Sequence, residues 1–114
     1  MTAEELRAFC LEQWSAVEEQ PFGPETTVFK VGGKIFAISR LDEEPLTVSL
    51  KIDPDLGIQL RGAYDAVQPG YHLNKRHWVT LTLNADADDE LVRGLLEDSH
   101  ALVRPRPKRG RPAD

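Results

Sequence analysis

An α+β fold, with helices packed on one face of an antiparallel sheet, is predicted by three features of this 114-residue chain. Apolar residues recur at helical spacing near both ends of residues 1–103. Between them, apolar and polar residues alternate at period two. The alternating stretches are joined by turns too short for parallel crossovers, so consecutive strands must pair antiparallel.

Thr2 can cap a first helix over residues 3–18, with Glu5 three positions on completing a capping box. Leu6, Phe9, Cys10, Trp14 and Val17 share one face of it, which makes Cys10 a small core residue. Pro21-Phe22-Gly23-Pro24 ends that helix. Residues 26–31 and 35–40 read as strands, and Gly32-Gly33 between them is a tight-turn signal because positive φ costs glycine little. An acidic turn at 41–45 leads to a third strand, in which Leu46, Val48 and Leu50 alternate with Thr47, Ser49 and Lys51. Asp53-Pro54 is a helix start, an acceptor at the cap followed by proline in the first turn, and this short helix runs to about Arg61. A loop through Pro69-Gly70 precedes a strand at 77–83. Val79, Leu81 and Leu83 face one way along it; Trp78, Thr80 and Thr82 face the other. A final helix spans 88–103, with Leu91, Val92, Leu95, Leu96, Leu102 and Val103 on one stripe and acids in its first turn.

Composition fits one domain at residues 1–103 followed by a basic, proline-rich tail at 104–114. No stretch approaches the ~20 apolar residues of a membrane helix, and the acidic N-terminus lacks the pattern of a signal peptide. With one cysteine there is no intrachain disulfide and no CxxC site. These features predict a cytoplasmic protein with no membrane partner. Residues 1–103 carry 9 Lys/Arg against 18 Asp/Glu, a net of −9, and residues 104–114 carry 5 Lys/Arg against one Asp, a net of +4. An acidic body with a basic arm suggests a polyanionic partner reached by the arm.

Several stretches together resemble the MmcQ/YjbR family. They are Pro21-Phe22-Gly23-Pro24-Glu25, the run from Val28 to Ala37, Ser49-Leu50-Lys51-Ile52-Asp53-Pro54, and Gly70-Tyr71-His72-Leu73-Asn74-Lys75-Arg76-His77-Trp78 with the preceding Pro69; Ser99 also fits. The resemblance covers nearly all of the body and stops at Val103. It implies a fold related to the frataxin-like α+β class and a DNA-binding role, and it carries over no catalytic residues.

The candidate site is the 70–78 cluster with its neighbours. Lys51, Lys75, Arg76 and Trp78 would form one cationic, aromatic patch if the strands bearing Lys51 and Trp78 are adjacent. The cations would then meet phosphates and Trp78 would stack on a base or cover a sugar. The same residues also fit a structural reading, in which Trp78 packs under a loop and the cations are merely solvated. In the tail, Lys108, Arg109, Gly110 and Arg111 with Pro112 resemble the Arg-Gly-Arg-Pro core of an AT-hook, suited to a narrow minor groove. Prolines at 105, 107 and 112 forbid a helix there and favour an extended arm. Five tail cations on phosphates would give a log–log salt slope of about −4.5, hence modest, salt-sensitive affinity.

No P-loop, nucleophile elbow, HExxH or paired catalytic carboxylates occur, so the chain reads as a binding protein rather than an enzyme, with no cofactor and no metal site. The alternative is a protein- or small-ligand-binding module without a nucleic-acid role, whose acidic body meets a basic partner.

Overall fold

A computed structural model describes residues 1–106. The chain order is α1 (Ala3–Glu12), β1 (Val17–Glu19), β2 (Thr27–Val31), β3 (Lys34–Ser39), β4 (Thr47–Lys51), α2 (Pro54–Ala63), β5 (Val67–Pro69), β6 (Trp78–Thr82) and α3 (Asp89–Val103). Three helices pack on a six-stranded, wholly antiparallel sheet of order β1-β2-β3-β4-β6-β5, the α+β architecture predicted. Among the described residues no helix is long and apolar enough to cross a membrane.

The inner face is apolar. Phe29, Ala37, Leu50 and Val79 lie in register across four strands and are fully buried, as are Val48 and Leu81 one pair further along. Helix α3 covers β3 and β4, and α2 covers β5 and β6. Leu6 and Cys10 of α1, with Val92 and Leu96 of α3, close the core from above. A register shift opposite Phe29 and Lys30 makes Phe36 an extra residue in β3. Both it and Ala37 are fully buried, and Phe36 meets the His100 ring of α3 edge-on at 5.1 Å.

Two elements differ from expectation. The first helix stops at Glu12 instead of 18. Gln13 closes its last turn, its amide side chain donating to the Phe9 carbonyl, and Ser15 at φ 56 reverses the chain. Residues 17–19 then add an edge strand to β2, so Trp14 and Val17 are exposed rather than part of the helix stripe. Residues 67–69, expected in a loop, form the opposite edge strand on β6, a place where Pro69 is tolerated because an edge needs only half its ladder bonds. The Asp86 carboxylate accepts from the Asp65 and Ala66 N–H groups and anchors the start of that strand.

Candidate functional site

Strands β4 and β6 are neighbours, which sets Lys51 and Trp78 side by side. Their outer faces pair Thr47 with Thr82, Ser49 with Thr80 and Lys51 with Trp78. The row is held together by a 2.7 Å bond between the Ser49 and Thr80 hydroxyls, and Thr80 Oγ1 also accepts from the Tyr71 N–H. Trp78 is half-buried and directly opposite Lys51. Cross-strand neighbours of this kind hold their Cβ atoms about 5 Å apart.

The end of β4 is fixed from the other face by Ser99. The β3–β4 ladder ends at the Ala37–Leu50 pair, and beyond it the strands splay. The fully buried Ser99 hydroxyl fills that gap, donating to the Phe36 carbonyl at 2.6 Å and accepting from the Lys51 N–H at 2.9 Å. Its place in the resemblance thus has a physical basis: it ties the sheet end that carries Lys51 to α3.

The 70–77 loop is braced by its own polar groups. Asn74 Oδ1 accepts from the Arg76 and His77 N–H groups, and Lys75 Nζ donates to the Gly70 carbonyl at 2.6 Å. A Cβ at Gly70 would lie 2.7 Å from Trp78 Cβ, so the loop can cross β6 only with glycine there. His72 adopts φ 59, and its ring lies 4.0 Å from that of the exposed Tyr71. Lys75 is therefore partly engaged in the loop, whereas Arg76 is exposed.

Strand directions bring Lys34, which was not singled out from sequence, to the same end of the sheet as the candidate cations. Lys51 ends β4, Lys34 begins β3, and Lys75 and Arg76 immediately precede β6; antiparallel pairing puts all of them at one end of the sheet. Helix α3 finishes at that end, so Arg104 and Arg106 follow there. Pro105 packs against Gly32 of the β2–β3 turn, and Arg106 lines a cleft with Lys51. Among the described residues the ion pairs engage Arg7, Lys30, Arg40 and the N-terminus, and none engages Lys34, Lys51, Lys75, Arg76, Arg104 or Arg106. Two carboxylates, Asp53 and Asp98, share the cleft with Lys51 and Arg106. The opposite end of the sheet carries Glu25, Asp42, Glu43, Glu44, Asp65, Asp86 and Asp88 in the connections there. Lys34 was readable from parity alone, since the strand after a tight hairpin starts where the previous one ends.

Lys108, Arg109, Gly110 and Arg111 lie outside the described residues. Among those described, no three His, Cys, Asp or Glu side chains come together in a geometry to hold a metal ion. Burial pushes the Cys10 thiol up to about 12, which leaves it un-ionised and unreactive at neutral pH.

Comparison with known proteins places these residues in a wider set. The family model described as YjbR matches residues 11–102. The chain is 41% identical over 83 residues to the protein named uncharacterized protein YbdF of Escherichia coli O157:H7, covering 73% of this chain and 68% of that one. It is 33% identical over 100 residues to uncharacterized protein YjbR of Escherichia coli K12, covering 88% and 85%. Among solved structures, the crystal structure of Deinococcus radiodurans protein DR2400, whose domain is DUF419, superposes with a TM-score of 0.85 at 44% identity, covering 90% of this chain and 78% of that one. A Pseudomonas syringae protein superposes with a TM-score of 0.79 at 25% identity, covering 91% and 100%.

Proposed function

The chain belongs to the YjbR family, and from that premise we propose that this member is a non-enzymatic, DNA-binding protein that docks through the cationic end of its sheet. What carries the reading is the separation of charge between the two sheet ends. A body with a net charge of −9 would be repelled by a phosphate backbone if its cations were evenly spread. Here Lys34, Lys51, Arg76, Arg104 and Arg106 collect at one end, and the chain continues from that end into Lys108, Arg109 and Arg111. Trp78, beside Lys51, adds a surface for a base or sugar.

On this reading contacts are to phosphates and to groove shape. The polar row on β4 and β6 is made of short hydroxyl side chains, and Ser49 and Thr80 already bond to each other, so they are poor readers of base edges. The tail cations add salt-dependent attraction through counterion release.

The test is binding of a labelled DNA duplex, by gel shift or anisotropy, at 50 and 200 mM salt, with the full chain and with a chain ending at Val103. The full chain should lose affinity by about a few hundred-fold across that range, with the truncated chain binding more weakly and less salt-dependently. No retention of either chain on DNA at the lower salt would overturn the proposal. Equal binding by both would remove the arm from it.

A further inference from the structure

The helices bury their apolar residues against the inner face of the sheet; the outer face of β6 carries instead the loop that precedes it. Gly70 donates its N–H to the Trp78 carbonyl at 3.0 Å, and the Tyr71 N–H then reaches Thr80 Oγ1, also at 3.0 Å. Thr80 belongs to the outer polar row, where its hydroxyl meets that of Ser49. The loop is thus pinned across the outer surface. Its Tyr71 is tied at the level of Thr80, and Trp78 stands one outward position away, about 7 Å along the strand.

Tyr71 is held by its backbone and not by its ring. The residue is 70% exposed, and the ring stacked near it is that of His72, 4.0 Å away and tilted by 51°. Consecutive side chains on extended backbone point to opposite sides. The left-handed turn at His72, φ 59, is what lets its ring meet that of Tyr71. Half-buried Trp78 adds a third ring, opposite Lys51, and exposed Arg76 lies two residues before it.

We infer, resting on the DNA-binding reading above, that this face takes unpaired nucleotides, so that the preferred ligand is DNA with a single-stranded end or gap rather than continuous duplex. Within a duplex each base is covered on both faces by its neighbours, which leaves phosphates and base edges for a protein to meet. Flat, exposed rings find no partner there. An unstacked base offers a whole face, and stacking on an aromatic side chain is tolerant of sequence because every base has one. Tyr71 and Trp78 supply two such surfaces, with Lys51 and Arg76 beside them for the phosphates.

The test compares two DNA ligands of equal charge at 50 mM salt, using the full chain. In one, two strands of the same length are annealed blunt; in the other, strands of the same length are staggered to leave a short overhang at each end. Single strands release fewer counterions per phosphate than duplex, so electrostatics alone makes the staggered ligand the equal or weaker one. Stacking of one or two bases should instead make it bind about tenfold tighter. Tyr71→Ala should bring the two affinities together, whereas Tyr71→Phe, which keeps the ring, should retain most of the gap. In a Trp14→Phe background Trp78 is the one tryptophan, and its fluorescence should be quenched more deeply by the staggered ligand. Blunt duplex bound as tightly as staggered, a gap that survives Tyr71→Ala, or equal quenching by both would each overturn the inference and leave the DNA-binding reading standing. Retention of neither ligand would overturn that reading itself, and the preference with it.

Discussion

Ser99 shows how one side chain can hold a functional surface without belonging to it. Its hydroxyl serves a buried carbonyl on β3 and a buried N–H on β4 at once. Ser99→Ala leaves both unsatisfied, at about 1–3 kcal/mol for each group, so urea unfolding should show a loss of roughly 2–6 kcal/mol. Ser99→Thr, which keeps the hydroxyl, should lose less, limited by room for the added methyl; equal losses would mean that packing and not the bridge is at stake. Cys10 is the other decisive residue. Raised to about 12, its thiol stays protonated in the folded state while an unfolded thiol ionises from its ordinary range upward. The unfolded chain then binds fewer protons than the folded one, so this residue's contribution to stability is intact at neutral pH and declines as pH rises toward about 12. A thiol reagent at pH 8 should therefore leave Cys10 unmodified in buffer and label it fully in denaturant; rapid labelling of the folded protein would contradict this burial. Both roles were partly legible. The helical stripe put Cys10 in the core, but nothing in sequence spacing tells that Ser99 meets two strands 48 and 63 residues away.

At the level of elements, the β2–β3 hairpin is the clearest case of sequence dictating backbone. Gly32 and Gly33 sit at φ 59 and 80, the left-handed pair a two-residue turn requires. They differ in surroundings: a Cβ on Gly32 would come within 2.5 Å of Pro105, whereas none lies within 4 Å at Gly33. Gly33→Ala should cost about 1–2 kcal/mol of backbone strain alone. Gly32→Ala should cost more, because Pro105 must be displaced as well. In a chain ending at Val103 the two substitutions should become equal in thermal unfolding; a persisting difference would mean that Pro105 is not the cause. The caps at Thr2 and Asp53 were equally readable, each accepting from the N–H three residues on, whereas Asp88, expected as the first residue of the last helix, caps it instead. The edge strands were not. Val17-Glu18-Glu19 continues an apparent helix pattern, and Val67-Gln68-Pro69 reads as a loop entry; both become strands through ladder bonds to β2 and β6, partners a local window does not contain.

For the molecule as a whole, the consequential feature is the segregation of charge along the strand direction. It predicts that position matters more than net charge for DNA binding. Lys51→Gln and Arg40→Gln remove one charge each, but Lys51 is at the cationic end while Arg40 sits at the other, bonded to Glu25 and Glu43. Lys51→Gln should lower the log–log salt slope by about 1 and weaken binding, and Arg40→Gln should leave both nearly unchanged. Similar effects from the two would show that only overall charge is sensed. The candidate patch was legible in composition, because Lys75, Arg76 and Trp78 lie together in the chain. That Lys51 faces Trp78, and that Lys34, Arg104 and Arg106 share their end of the sheet, depended on strand order.

Local physics in the sequence was enough for the α+β class, the helix caps, the glycine turn, the apolar faces and the contrast between an acidic body and a basic terminus, since each depends on residues within a few positions of one another. Tertiary structure alone decided the two edge strands, the serine bridge beneath Lys51, the clustering of cations and the cleft shared by Lys51 and Arg106. Those features arise where segments far apart in the chain satisfy one another's hydrogen bonds and charges, and such pairings exist only once the sheet has closed.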